Sequence, residues 1–160
     1  MTQFFSRKAS PYLGYNFDVL FLGITRAGFT KVNGLSTKIN TSDYPECGIE
    51  IKKLIENISF DDITLEKGLT VNQDFNNWAA NTVKYVKQGI TVPNGLRREL
   101  IIILKDRIGN PVKKWSVSKA FPRQYDVGEF NAMTSEVVIE TLILACEEQK
   151  LIYNLGEVIE

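Results

Sequence analysis

The sequence predicts a mainly β domain of the α+β class, an antiparallel sandwich or barrel with one covering helix. Three observations lead there. Several runs alternate apolar and polar residues with a period of two, as half-buried strands do. Only the stretch from Gln73 to Val86 repeats its apolar residues at three- and four-residue spacing. Clusters of glycine, proline, asparagine and aspartate punctuate the runs, and Gly109-Asn110-Pro111 is strong turn chemistry.

After a polar lead-in, Asn16 to Leu22 sets Phe17, Val19 and Phe21 against Asn16, Asp18 and Leu20, and ends at Gly23. Gly28 to Ile39 puts Phe29, Leu35 and Ile39 on one parity and Val32, Ser36 and Lys38 on the other, with a bend or bulge at Gly34. These two runs are expected to pair as a long hairpin. From Thr41 to Asn57 the period breaks around Asp43, Pro45 and Gly48; seventeen residues without a clean period predict a partner-binding loop that reaches out of the body. Ile58 to Lys67 switches parity between Phe60 and Ile63, which predicts one strand with a bulge near Asp61, closed by Gly68.

The helix carries Phe75, Trp78, Ala79, Thr82, Val83 and Val86 on one stripe, with Asn72 as N-cap, Asp74 at the positive end of the dipole and Gly89 as its stop. Leu96 to Lys105 and Val112 to Lys119 read as a second hairpin about Asp106 to Pro111, with Trp115 and Val117 facing its core side. Phe121-Pro122 to Gly128 reads as a connection with a short extended piece. Ser135 to Glu147 reads as one strand of thirteen residues, roughly 40 Å long. Val138, Leu142 and Leu144 share a face with Glu136 and Glu140, while Val137, Ile139 and Ile143 fill the other. Both faces need cover, which suggests a sheet that packs inside one subunit and also meets neighbours. A last short strand falls near Leu151 to Tyr153.

At 160 residues the chain is read as one domain, 1–160, able to bury a core without staples. Nineteen basic residues balance nineteen acidic ones, and the pI near 6.4 lacks the basic excess of proteins that grip nucleic acid. Cys47 and Cys146 form no CxxC pair and are expected to be free thiols, in keeping with assembly in the cytoplasm. No run reaches the length needed to cross a bilayer, so no stable membrane insertion is expected.

The chain contains no histidine, which removes the usual general base near neutral pH and the commonest zinc ligand. Adjacent Asp61 and Asp62 point apart on a strand or sit in a turn. Glu136 and Glu140, four apart on a strand, lie roughly 13 Å apart along it, too far for a glycosidase pair. Nucleotide, serine-hydrolase and calcium motifs are absent. No catalytic residue, cofactor or metal is expected, and an enzyme built on a carboxylate pair is the least favoured reading.

Several segments then carry a resemblance. Pro11-Tyr12-Leu13-Gly14-Tyr15-Asn16-Phe17, Gly28-Phe29-Thr30-Lys31-Val32-Asn33-Gly34-Leu35, Ile63-Thr64-Leu65-Glu66-Lys67-Gly68 and Phe75 to Trp78 follow a known order. Asp106 to Trp115, Ala120-Phe121-Pro122 and Ser135 to Leu142 continue it. Individually weak, together they make the chain, from about Pro11 to Glu147, resemble the tail-tube protein family of contractile phages and related injection systems. That resemblance implies a fold related to the Hcp ring protein of type VI secretion: two packed antiparallel sheets closing a small barrel, with one flanking helix. It also implies homo-hexameric rings stacked into a hollow tube, driven by a sheath and joined to a baseplate hub and a tape-measure protein. DNA or protein cargo would pass the lumen without specific binding, and the subunit would belong to a virion or injection particle.

On the same resemblance, the 41–57 loop bridges neighbouring rings through Asp43, Tyr44, Pro45, Glu46, Cys47, Lys53, Leu54 and Ile55, and Lys38, Asp62, Glu66, Glu136 and Glu140 are lumen or subunit-interface residues. The core domain is then about 11–147, and 148–160 is a C-terminal extension, either a partner-binding tail or an added edge strand. The loop lacks the Leu-Pro-Gly step usual in the family, which with the extension suggests a tube-initiating ring as the alternative. A monomeric β-barrel holding a small apolar ligand, drawn from the aromatic content, is the more distant one.

Overall fold

The computed structural model describes residues 11–21, 24–45, 48, 50–91 and 93–155. In chain order the elements are β1 (Phe17–Phe21), β2 (Ile24–Ala27), β3 (Lys31–Asn33), β4 (Thr37–Pro45), β5 (Ile51–Phe60) and β6 (Ile63–Gly68). Helix α1 (Asp74–Lys87) and a 3₁₀ turn (Asn94–Leu96) lead to β7 (Arg98–Lys105), β8 (Pro111–Val127), β9 (Ile139–Ala145) and β10 (Glu148–Asn154). The fold is mainly β with one α-helix, as expected. An eight-stranded antiparallel sheet runs β2-β1-β7-β8-β9-β6-β3, with β10 also on β8, and a second sheet is the β4–β5 pair alone. Among the described residues no ladder joins β2 to β3, so the large sheet does not close into a barrel.

Strand β8 holds the large sheet together. Its first half pairs with β7 and β10, its second half with β9. Between the halves Lys119 takes a φ of 52°, the left-handed region, where any Cβ crowds the following carbonyl oxygen. The register slips there, so Val117 and Ala120, three residues apart, are both fully buried. That bulge turns one sheet over a single core. What reads as a connection from Phe121 onward is the continuation of β8, because Pro122 and Tyr125 keep their places opposite Leu144 and Leu142.

The core lies between the halves and is closed by α1. Val19, Phe21, Leu100 and Ile102 line one side, Ile63, Leu65, Leu142 and Leu144 the other. Phe75 and Trp78 reach in from α1, edge-on to Phe21 at 5.5 and 5.9 Å, and the Trp78 indole donates to the Leu96 carbonyl at 2.7 Å. Only part of the predicted stripe is covered: Val83 and Val86 stay outside. Gln73 occupies the N-cap position without a side-chain bond, yet Asn72 Oδ1 still accepts the Asp74 amide at 2.8 Å. Gly89, at φ 66°, ends the helix as expected.

Four strand readings are corrected. β1 pairs with β2 and β7, and β3 with β6, so the first two runs do not form one hairpin. Ile58 to Lys67 is two strands that separate at Asp61-Asp62, since β5 belongs to the small sheet and β6 to the large one. The 41–57 segment is the larger part of a β-hairpin, its apolar residues paired across the strands and therefore aperiodic along the chain. β9 spans seven residues, not thirteen, and Glu136 lies before it. The β7–β8 hairpin stands as read, its turn held by Asp106 Oδ1 accepting the amides of Ile108, Gly109 and Asn110 at 2.8–2.9 Å. Those bonds hold the Asp106 carboxyl below its usual range. Glu148–Asn154 adds an edge strand, the second of the two expectations for the extension.

Candidate assembly surface

The β4–β5 hairpin forms an arm. From Thr37 to Asn57 nearly every described side chain is exposed, on both faces, so the body does not cover it. Cross-strand partners share a face, and a bulge at Glu56 resets the register between Asn40↔Asn57 and Thr41↔Ile55. The result is that Ile39, Ile51, Ile55 and Ile58 line one face, at 60, 70, 75 and 60% exposure. Asn40, Ser42, Tyr44, Lys52 and Asn57 occupy the other, with Leu54 among them. Ile39, Ile58 and Ile55 adjoin and Ile51 lies beyond the Asp43–Lys53 pair on the same face, an apolar stripe open to water and interrupted by one ion pair, of the kind that marks an interaction surface.

The arm's root is fixed by the body. Gln149 of β10 accepts the Ser36 amide at 2.9 Å and donates to the carbonyls of Gly34 and Asp61 at 3.1 and 2.8 Å, tying both chains of the hairpin together where they enter it. Gly34 sits at φ 99°, and a Cβ there would lie 1.9 Å from the Asp62 carbonyl oxygen, so only glycine fits. Lys38 pairs with Asp61 at 2.6 Å beside the root, and that ammonium holds the Asp61 carboxyl below its usual range. Lys53 pairs with Asp43 at 3.0 Å across the arm.

The remaining sequence-derived residues do not gather in one place. Asp62 meets Arg123 at 2.5 Å, so Asp61 and Asp62 take separate cations and form no carboxylate pair. Glu66 meets Lys31 at 3.0 Å on the outer face of β6, and Glu136 is exposed ahead of β9. Tyr44, Pro45, Leu54 and Ile55 lie on the arm with Asp43 and Lys53; Glu46 and Cys47 fall outside the described residues. Cys146 is a free, half-buried thiol whose pKa burial pushes up.

Glu140 is a correction. It shares its face of β9 with Leu142 and Leu144, as its parity requires, and that face is the core: its side chain is 3% exposed, closed to any lumen or neighbour. Its Oε1 lies 2.9 Å from the Lys67 ammonium, itself 6% exposed and 4.3 Å above the Phe75 ring, while the Tyr125 hydroxyl donates to Oε2 at 2.8 Å. Burial, then the hydrogen bond and charge of Glu140, push the Tyr125 phenol up to about 12. Sequence reasoning missed Lys67, although it shares a parity with Ile63 and Leu65. It also missed Gln149, whose role comes only from tertiary contact.

Residues 13–150 match the family model described as T4-like virus tail tube protein gp19. The chain belongs to this family. It is therefore a tail tube protein, a structural protein and not an enzyme. No curated protein matches the chain. Among solved structures, this tube protein is similar to a chain in the 6-fold symmetrised cryo-EM structure of the anti-feeding prophage baseplate. That likeness has 21% identity and a TM-score of 0.75, covering 93% of this chain and 99% of that one. It is similar to a chain of an extracellular contractile injection system, the PVC sheath-tube complex in its extended state, at 22% identity and TM-score 0.73, covering 88% and 90%. Hcp1 from Flavobacterium johnsoniae shares the fold at 12% identity and TM-score 0.54, covering 86% and 94%. The described residues include no helix long and apolar enough to cross a membrane.

Proposed function

We propose that this tail tube protein forms six-membered rings that stack through the β4–β5 arm into a hollow conduit for DNA or protein cargo. The observation that carries the reading is the uncovered isoleucine face of the arm, held at a defined root by Gln149. A two-stranded hairpin is marginal by itself, and this one leaves its apolar side in water unless a second subunit covers it. Asp43, Tyr44, Pro45, Lys53, Leu54 and Ile55 then belong to the inter-ring contact, joined by Ile39, Ile51 and Ile58.

The whole chain acts as one tube domain, its two half-sheets curled over the core as a barrel-like body. Its outer strand edges at β2, β3 and β10 face neighbours in the ring. The outer face of β3-β6-β9-β8 presents Lys31, Thr64, Glu66 and Thr141 with Ile139 and Ile143 among them, and its polar residues suit a water-filled lumen. Lys38, Asp62 and Glu136 lie at subunit contacts on this reading. A sheath surrounds the tube, as in the sheath-tube complex of the similar injection system, with a baseplate hub and a tape-measure protein as further partners and bacterial cytoplasm as the place of assembly.

Light scattering on the purified chain, with negative-stain images of the same sample, tests this. Rings of six times the monomer mass, or tubes built from them, are expected. A lone monomer at high concentration overturns self-assembly; hexamers that never polymerise assign the chain to the tube-initiating ring.

A further inference from the structure

Lys67 of β6 and Glu140 of β9 stand directly opposite each other in the ladder that joins the two strands. Both side chains turn into the core, almost fully enclosed, with Lys67 Nζ 2.9 Å from Glu140 Oε1. A C=O bond of about 1.23 Å then puts the Glu140 carboxyl carbon, Cδ, within roughly 4 Å of that nitrogen. The two oxygens of the carboxylate differ. Oε2 accepts the Tyr125 hydroxyl at 2.8 Å, whereas Oε1 is buried without a hydrogen bond, the ammonium beside it standing outside hydrogen-bond geometry.

The surroundings are apolar. The Phe75 ring lies 4.3 Å from Nζ, and Ile63, Leu65, Leu142 and Leu144, all fully buried, extend along the same faces of β6 and β9. In such a medium the ion pair bears the desolvation cost of two charges, and a proton passing from ammonium to carboxylate leaves a neutral amine beside a neutral acid. That amine is a nucleophile held against the carboxyl carbon. The Tyr125 hydroxyl, bonded to Oε2, polarises the same carbon and is placed to stabilise negative charge that develops on the oxygen.

We propose that Lys67 and Glu140 condense within the folded chain into a side-chain amide that covalently staples β6 to β9. The Nζ–Cδ bond forms and the Cδ–Oε1 bond breaks. Two of the three ammonium protons leave with Oε1 as water, and the third stays on the amide nitrogen, so the charges of the pair cancel. Oε2 becomes the amide carbonyl oxygen and keeps the Tyr125 hydroxyl. The step needs no oxidant and no cofactor. Its product replaces two buried charges with one neutral group and removes the oxygen that lacks a hydrogen bond. Freshly folded chain holds the ion pair, and the amide accumulates on standing, because the amine is neutral for only a fraction of the time. Once formed, the bond closes the chain between residues 67 and 140 and restricts the unfolded state as a disulfide does, however the subunits assemble.

Intact-mass spectrometry of the denatured chain, taken fresh and after days of incubation in the folded state, reads the bond as the loss of one water. Tryptic digestion of the aged chain should then fail to cut after Lys67 and should yield a branched product joining the peptides that contain Lys67 and Glu140. Three variants make the assignment specific. Tyr125→Phe should slow the loss by roughly 100-fold, Glu140→Gln should form the same bond with loss of ammonia in place of water, and Lys67→Met should show neither. The full sequence mass in fresh, aged and assembled samples, with circular dichroism showing the native fold, would overturn the proposal and leave an ion pair alone. A loss of water that persists in Lys67→Met, or that the peptides place elsewhere, would overturn it as well. If Lys67→Met does not fold, the peptide map of the unmodified chain decides.

Discussion

Lys67 and Glu140 carry opposite charges in the part of the core where α1 meets β6 and β9, 2.9 Å apart and almost fully enclosed. Removing one leaves the other buried without a counter-charge. Lys67→Met is therefore expected to cost about 3–5 kcal/mol in chemical denaturation, and adding Glu140→Leu to it should recover most of that loss. Tyr125 makes the network sensitive to alkali. Its folded-state pKa is raised from 10.0 to about 12, so its contribution is fully present below pH 10 and is lost as pH rises through about 12. Stability should fall across that window, and Tyr125→Phe should flatten the fall. Gln149 acts at the same scale: Gln149→Ala leaves the Ser36 amide and two carbonyls at the arm's root short of a partner, a loss of about 1–3 kcal/mol. A melt of the purified chain would read it.

At the scale of elements, two glycines with similar φ separate backbone strain from collision. Gly34→Ala and Gly109→Ala both force a side chain into the left-handed region, at 99° and 100°, yet a Cβ at Gly109 meets nothing within 4 Å while one at Gly34 strikes the Asp62 carbonyl. The Gly109 variant should lose about 1–2 kcal/mol and still assemble; the Gly34 variant should lose more and, because it displaces the arm's root, form no tubes. The arm itself separates stability from assembly. Ile55→Asp removes an exposed side chain, so denaturation of the monomer should move by no more than about 0.5 kcal/mol, while sedimentation should show the large species gone. These elements differed in how well the sequence announced them. The β7–β8 hairpin and α1 were legible because turn chemistry and periodicity are local. The arm was not, because its apolar residues line up only after Pro45 is set against Ile51, and the bulge at Glu56 breaks the period along the chain.

For the whole molecule, an assembly held by isoleucine stripes should respond to salt as apolar burial does. Ammonium sulfate should lengthen tubes, and sodium chloride should fail to disperse them, measured by light scattering; dissociation in sodium chloride would point instead to ion pairs such as Lys38–Asp61 at the contacts. The family could be recognised from the order of short segments spread over most of the chain, and residues 13–150 match its model. The candidate surface was legible only as a region. Residues 41–57 were expected to reach outward, and they do, but their face, their root and the burial of Glu140 were not visible.

Local pattern determined what local physics controls: the mainly β class, the single helix, the turn at Asp106 to Pro111, the need for glycine at a bend, and which parity of β1 and β6 is apolar. Tertiary structure decided what depends on distant partners. A strand's parity says that Glu140 shares a face with Leu142 and Leu144, but only the packing of α1 and β6 against that face makes it core. Likewise β8 reads as two pieces because Lys119 and Pro122 interrupt it, and it is one strand because β7, β10 and β9 supply hydrogen bonds along its whole length. Ladder partners come from anywhere in the chain, so their identity is a property of the fold and not of any window of sequence.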